Sequence, residues 1–304
     1  MIIMISIEAL RNMEIPAQTI VITGANSGIG FEAAKFLAAK GAHVIMGVRS
    51  LVRGDEALAL IEDEVEKPHV SVLELDLSSL KSIEAFVAAV KKTVDTVDVL
   101  INNAGIMAVK EGKTQDGFER QLGINHLGHF ALTAQLFDHL SLKARIVNVS
   151  SQAHLMGSFD FDNLQYGNGG YKPFKAYAQS KLANITFTHA LNDKLKDKSI
   201  QAITVHPGVA KTGLFGRKDG VLAFRMFSPL MGLFAQPASI GALPTIAAAI
   251  HPSVTANEFL GPKEKGHKGY LTQNDRINPR ALDKKTQAAL WQASETLTGV
   301  TFPL

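Results

Sequence analysis

The chain of 304 residues contains no cysteine, which excludes a disulfide scaffold, a thiolate nucleophile and a cysteine-based zinc site together. Charge is also modest: 19% of residues are charged, the net charge is +3, and Lys and Arg are spread without dense runs. That distribution lacks the footprint of a nucleic-acid binder. The apolar start, Met1 to Ile7, is too short to span a bilayer and has neither a basic segment nor a small-residue cleavage site. No signal, anchor or membrane span is therefore read there, and a cytoplasmic protein is the default expectation. The start is expected to be an irregular arm or an over-extended gene start, since Met4 and Met13 could also initiate. Repeats, low-complexity tracts and signs of a second domain are missing too. What is present, 46% hydrophobic residues, suffices for the core of one α/β domain spanning 1–304.

From Thr19 to His206 short β-branched runs alternate with longer segments of helical period, the signature of βαβ units. Strands are predicted at Thr19 to Thr23, His43 to Val48, Val70 to Glu74, Asp98 to Asn102, Ala144 to Ser150 and Ile200 to His206. Their near-continuous Val, Ile and Leu implies burial on both faces, as in a doubly wound parallel sheet of Rossmann type. Apolar residues at three- and four-residue spacing predict crossover helices over Gly30 to Lys40, Val52 to Val65, Leu80 to Val94, Phe118 to His139 and Lys175 to Leu195. Past Pro207 the pattern breaks into a stretch rich in Gly, Phe and Met, read as a substrate-binding loop over 208–237. Its apolar cluster, Phe215, Phe224, Met226, Phe227, Met231 and Phe234, fits a substrate lid and ordinary core packing equally. A C-terminal helical extension follows: Ser239 to Ile250, a last strand at Glu258 to Gly261, and Asp283 to Leu297, capped by Asp283 and stopped by Gly299.

Three motifs carry chemistry. Thr23-Gly24-Ala25-Asn26-Ser27-Gly28-Ile29-Gly30 lies between the first strand and first helix, where main-chain N–H groups can meet a pyrophosphate at the positive end of the helix. A Gly-rich turn alone can be merely structural. Tyr177-x-x-x-Lys181 spans one helical turn, so both side chains leave one face. A nearby ammonium favours the phenolate and should lower the Tyr177 pKa from its usual value near ~10. A third segment, Val149-Ser150-Ser151, ends the fifth strand.

In this order and spacing the chain resembles the short-chain dehydrogenase/reductase family from about Thr19 to Thr212, with Asn102-Asn103-Ala104-Gly105 after the fourth strand and Pro207-Gly208 after the sixth. Val147 to Ser151, Ser180 to Asn184, His206 to Val209 and the ending Leu290 to Gly299 are most similar to its retinol-dehydrogenase-like branch. The resemblance implies a catalytic set of Ser151, Tyr177, Lys181 and Asn125. Ser151 rather than Ser150 would face substrate, Tyr177 would be the acid/base, and the Asn125 carbonyl would hold a water linking Lys181 to solvent. A simple helix kink is the plainer reading of Asn125.

The same resemblance places a nicotinamide dinucleotide on Gly24, Asn26, Ser27, Gly28, Ile29, Gly30, Asn103, Ala104, Gly105, Tyr177 and Lys181. Asp76 and Leu77 would touch the adenine, Pro207, Gly208 and Val209 would border the cofactor, and Thr212 would bond the carboxamide or a phosphate. At the end of the second strand Val48 occupies the family's acidic position and Arg49 follows. With no carboxylate to take a ribose 2′-OH, a guanidinium there fits a 2′-phosphate, so NADP(H) is expected, with Arg53 as a second cation and Ser50 within reach. Arg49 read plainly is a solvated surface residue. The implied activity is direct hydride exchange between a small carbonyl or alcohol and the cofactor. A homo-dimer or tetramer is implied as well, the helices of Asn125 and Tyr177 packing on symmetry mates.

Two histidine signals are set aside, and one other enzyme class and one binding function compete. His126 and His129 lie one turn apart, yet no further ligand accompanies them by motif, so no metal is expected. His154 near Ser151 suggests a hydrolase, but no Gly-x-Ser-x-Gly elbow occurs, and His154 is expected to wall the substrate pocket. A sugar-nucleotide epimerase or dehydratase would share Tyr-x-x-x-Lys but carry a larger C-terminal domain. A non-catalytic NADP-binding regulator would tend to lose the Tyr or Lys that this chain keeps.

Overall fold

The protein is represented by a computed structural model, which describes residues 4–208, 210, 236–262, 270–273 and 276–304. Nearly all of the expected 208–237 loop, its apolar cluster, Val209 and Thr212 lie outside the described residues. The β-branched runs form strands as expected: β1 (Met4–Ser6), β2 (Thr19–Thr23), β3 (His43–Val48), β4 (Val70–Glu74), β5 (Val97–Asn102), β6 (Leu140–Val149), β7 (Gln201–Val205), β8 (Phe259–Pro262) and β9 (Tyr270–Gln273). They make one sheet in the order β1-β9-β8-β7-β6-β5-β2-β3-β4. Strands β2 to β8 run parallel, and β9 is antiparallel to both β8 and β1. The chain turns to opposite sides of β2, toward β3 and toward β5, so a crevice opens at the carboxyl ends of β2 and β5.

Helices cover both faces: α1 (Ile7–Asn12), α2 (Gly28–Ala39), α3 (Leu51–Glu64), α4 (Leu80–Thr93), α5 (Arg120–Leu122), α6 (Gly128–Leu136), α7 (Pro173–Lys194), α8 (Ala238–Gly241), α9 (Leu243–Ile250) and α10 (Lys284–Thr298). Alternation along β2 shows the two-sided core. Ile20 and Ile22 pack with Leu37, Ile61 and Ile246 on one face, while Val21 joins Phe86, Phe130 and Phe187 on the other. The start of α10 is fixed by Asp283, whose carboxylate accepts from Thr286 N at 2.8 Å, and its end by Gly299 at φ +66°. Among the described residues no helix is long and apolar enough to cross a membrane.

Four departures from the sequence reading bear on the site. The N-terminal segment is no irregular arm: Met4 pairs with Thr272, making β1 the sheet edge. The expected single helix over 118–139 is interrupted by a π turn, Gly123–Leu127, between α5 and α6, because Asn125 is held sideways by Ile106. The expected helix from Ser239 to Ile250 divides into α8 and α9 around Ala242. Finally, α6 and α7 are buried almost throughout, and α10 and Phe302 pack over them through Phe130, Phe187 and Trp291. Phe130 and Phe187 of these two helices are thereby packed within the protomer.

Candidate active site

At the head of the crevice the end of β2 is tied to the end of β5. Thr23 Oγ1 accepts from Asn103 N and Ala104 N, each at 2.9 Å, and Asn103 Nδ2 donates to Thr23 O at 2.8 Å. Gly24 turns the chain at φ +67°, outside the range other residues adopt freely. Gly30 allows the closest approach: a Cβ there would stand 2.5 Å from Gly24 O and 2.5 Å from Asn103 Nδ2. Ser27 makes no side-chain cap on α2, so the positive end of this helix faces a cavity of about 980 Å³ lined by Gly24, Asn26, Ser27, Gly28, Ile29 and Gly30. This cradle fits the diphosphate of a dinucleotide.

The same cavity brings together most of the other expected residues. Arg49 and Arg53 are exposed on its rim, Asp76 and Leu77 flank it, and Asn103, Ala104, Gly105, Pro207 and Gly208 line its centre. Asp76 is itself held by Ser78, whose N and Oγ donate to Oδ1 at 2.9 and 2.8 Å. Val48 points into the core instead, and Ser50 Oγ caps α3 by accepting from Arg53 N.

Ser151, Tyr177 and Lys181 line the far end. Ser150 faces away: its N–H donates to Val205 O and its hydroxyl to Lys181 O, each at 2.7 Å, closing the strand. Lys181 Nζ donates to Val149 O at 3.0 Å and lies 5.9 Å from the Tyr177 ring centre. Burial lowers the Lys181 pKa to about 8. Burial also raises Tyr177 to about 12, a hydrogen bond with Ser151 opposing it. Desolvation of the phenolate thus sets the direction for Tyr177, the reverse of what the pairing with Lys181 alone suggests.

Asn125 is fully buried behind the wall, not on it. Its Oδ1 accepts from Ile106 N at 2.8 Å and its Nδ2 donates to Ile106 O and Ser180 Oγ, both at 2.9 Å. A Cβ on Gly105 would lie 3.1 Å from Asn125 Oδ1 and 3.5 Å from Lys181 Nζ, so that glycine separates the two. Behind them His129 Nδ1 donates to Asn125 O at 3.0 Å and Nε2 accepts from Thr23 Oγ1 at 2.9 Å. His126 instead meets Ser294 Oγ at 2.8 Å. The two histidines therefore serve separate networks.

His154 is a correction. It is buried beneath Ser151, with Nδ1 bonded to Ser151 O at 2.7 Å and its ring against Phe259, and it does not line the cavity. The wall consists of Met107, Ala153, Met156 and Phe174, with Gln152 as a polar member. Sequence pattern did not single these out, because neither periodicity nor a motif marks a residue that merely faces a cavity.

A profile of the short chain dehydrogenase family matches residues 18–220. The chain is 38% identical to human Retinol dehydrogenase 13 over 298 residues, covering 95% of this chain and 87% of that protein. It is 40% identical to mouse Retinol dehydrogenase 12 over 294 residues, covering 95% and 89%. A solved structure of a protein from Mycobacterium paratuberculosis superposes with a TM-score of 0.79 at 39% identity, covering 97% of this chain and 98% of that one.

Proposed function

Because the chain belongs to the short-chain dehydrogenase family, in the branch of the retinol dehydrogenases, we propose that it is an NADP(H)-dependent oxidoreductase interconverting a carbonyl and an alcohol with an apolar body. The carrying observation is that one cavity joins the glycine cradle on α2 to Ser151, Tyr177 and Lys181. The cofactor, when bound, supplies or accepts the hydride at its nicotinamide. Gly24, Asn26, Ser27, Gly28, Ile29 and Gly30 hold its diphosphate. Asp76 and Leu77 contact the adenine, Asn103, Ala104, Gly105, Pro207 and Gly208 border the nicotinamide half, and the resemblance adds Val209 and Thr212 to the cofactor's contacts. Arg49 and Arg53 take the 2′-phosphate, Arg49 by a bidentate fork.

Ser151 donates to the substrate oxygen, and Tyr177 passes its phenolic proton to that oxygen as the carbon is reduced. A phenol pushed up to about 12 stays protonated at neutral pH, the form that donates to a carbonyl oxygen. Lys181 orients the ribose and hands a proton back to Tyr177, and the Asn125 carbonyl, pinned by His129, positions the relay toward solvent. The apolar wall of Met107, Ala153, Met156 and Phe174 accounts for an apolar substrate. The test is a panel of aldehydes and ketones followed by NADPH absorbance: turnover is expected with NADPH, and its absence across the panel would refute the reading.

A further inference from the structure

Gln152 follows Ser151, opens the 3₁₀ turn Gln152–Met156 and has its side chain exposed on the cavity wall. Its protein partner is the buried ring of His206. On the other side of that ring, Nδ1 lies 3.1 Å from the main-chain nitrogen of Gly208. A main-chain N–H can only donate, so Nδ1 is the unprotonated nitrogen. A neutral imidazole then carries its proton on Nε2. Burial, and next the neighbouring His154, hold the ring neutral, its pKa lowered to about 4.

The Gln152 atom placed 3.0 Å from that Nε2 is its amide nitrogen, and two N–H donors cannot bond each other, so the carboxamide must present its acceptor instead. In a carboxamide the acceptor is Oε1, and half a turn about the last side-chain torsion places it there without changing the shape of the group. The ring cannot back away to relax the contact, because Gly261 abuts it so closely that a Cβ would stand 1.8 Å from Nε2. The amide NH₂ is consequently directed away from His206, and Gln152 lines the same cavity as Met107, Ala153, Met156 and Phe174.

We infer that Gln152 offers a hydrogen-bond donor to a second oxygen of the substrate, beside the oxygen that meets Ser151 and Tyr177, which makes vicinal or neighbouring dicarbonyls with apolar bodies the preferred substrate class. This rests on the carbonyl reduction proposed above. Reduction would form one C–H and one O–H bond at the reacting carbonyl and leave a hydroxyketone, with NADPH oxidised to NADP⁺ and one proton consumed. The second carbonyl is bound and left unchanged.

The test compares benzil with deoxybenzoin, which keeps both rings but has a methylene in place of the second carbonyl. kcat/KM for each is measured with NADPH for the parent, Gln152→Leu and Gln152→Glu. Gln152→Glu still accepts from His206 Nε2 but turns lone pairs toward the substrate, so it separates the cavity donor from support of the ring. A lost neutral hydrogen bond predicts a fall of about tenfold for benzil in Gln152→Leu, with a larger fall in Gln152→Glu. Deoxybenzoin should change by less than about threefold, since it has no second oxygen to lose. Equal losses on both ketones, or benzil turnover untouched by Gln152→Glu, would overturn the inference and leave carbonyl reduction standing. Turnover of neither ketone by the parent would overturn the carbonyl-reduction reading, and this inference with it.

Discussion

Replacing Gly30 by Ala opposes two effects of known sign. Gly30 lies in the first turn of α2, where alanine relieves up to about 1 kcal/mol of unfavourable helix propensity. Against this, the new methyl would stand 2.5 Å from Gly24 O and 2.5 Å from Asn103 Nδ2. The carbonyl belongs to main chain fixed at φ +67°, and the amide is already bonded to Thr23 O at 2.8 Å, so neither neighbour yields without breaking the tie between β2 and β5. Overpacking of this kind costs about 1–3 kcal/mol, which leaves a net loss of roughly 1–2 kcal/mol. With unfolding entropy scaling with chain length, that lowers Tm by on the order of 1.5–3 °C for a chain of this size. Because the displaced groups form the diphosphate cradle, NADPH affinity should fall at the same time by about tenfold or more. The control is Gly41→Ala. Its φ of +84° strains alanine, but nothing lies within 4 Å of the added Cβ, so stability should fall while NADPH binding stays unchanged. Calorimetry and a fluorescence titration read both quantities. A Gly30→Ala variant that is stabilised, or that binds NADPH as the parent does, would refute the close-packing argument.

Two further predictions concern charge. Arg49→Ala should weaken NADPH far more than NADH in a binding titration, and equal losses for the two would show that Arg49 does not read the 2′-phosphate. Burial holds His126 at about 3 and His129 and His206 each at about 4. With folded values below the unfolded ~6.5, the unfolded chain binds more protons under pH ~6.5. Stability is thus full above that pH and should fall through the interval toward 4, by up to about 1.4 kcal/mol per pH unit per histidine. A denaturation midpoint that stays level from neutral pH to pH ~5 would contradict this sign.

The parallel sheet was legible because its strands are buried on both faces, and Ile20, Val21 and Ile22 show it by having no polar residue between them. Tyr177 and Lys181 were legible because one helical turn sets their geometry, and Ser151 because the family resemblance expects a serine just past the fifth strand. What stayed hidden depends on partners distant in sequence. Three residues from Met4 to Ser6 become a strand only when Tyr270–Gln273 arrives beside them. The π turn exists because Ile106 takes both ends of the Asn125 amide. Burial of Tyr177, which reverses the direction expected for its pKa, is set by elements packed around it and not by Lys181 four residues on. His154 follows the same rule, placed beneath the site by its bond to Ser151 O and by Phe259 from a remote strand.

The central claim is that Tyr177 is the proton donor to the substrate oxygen. Tyr177→Phe keeps the ring and its packing but removes the hydroxyl, so the decisive measurement is single-turnover reduction of a ketone by this variant with NADPH bound. The account predicts NADPH affinity close to the parent's and a hydride-transfer rate lower by about 10²- to 10⁴-fold, the range for general acid assistance. A rate within a few-fold of the parent's on a substrate the parent reduces would contradict it.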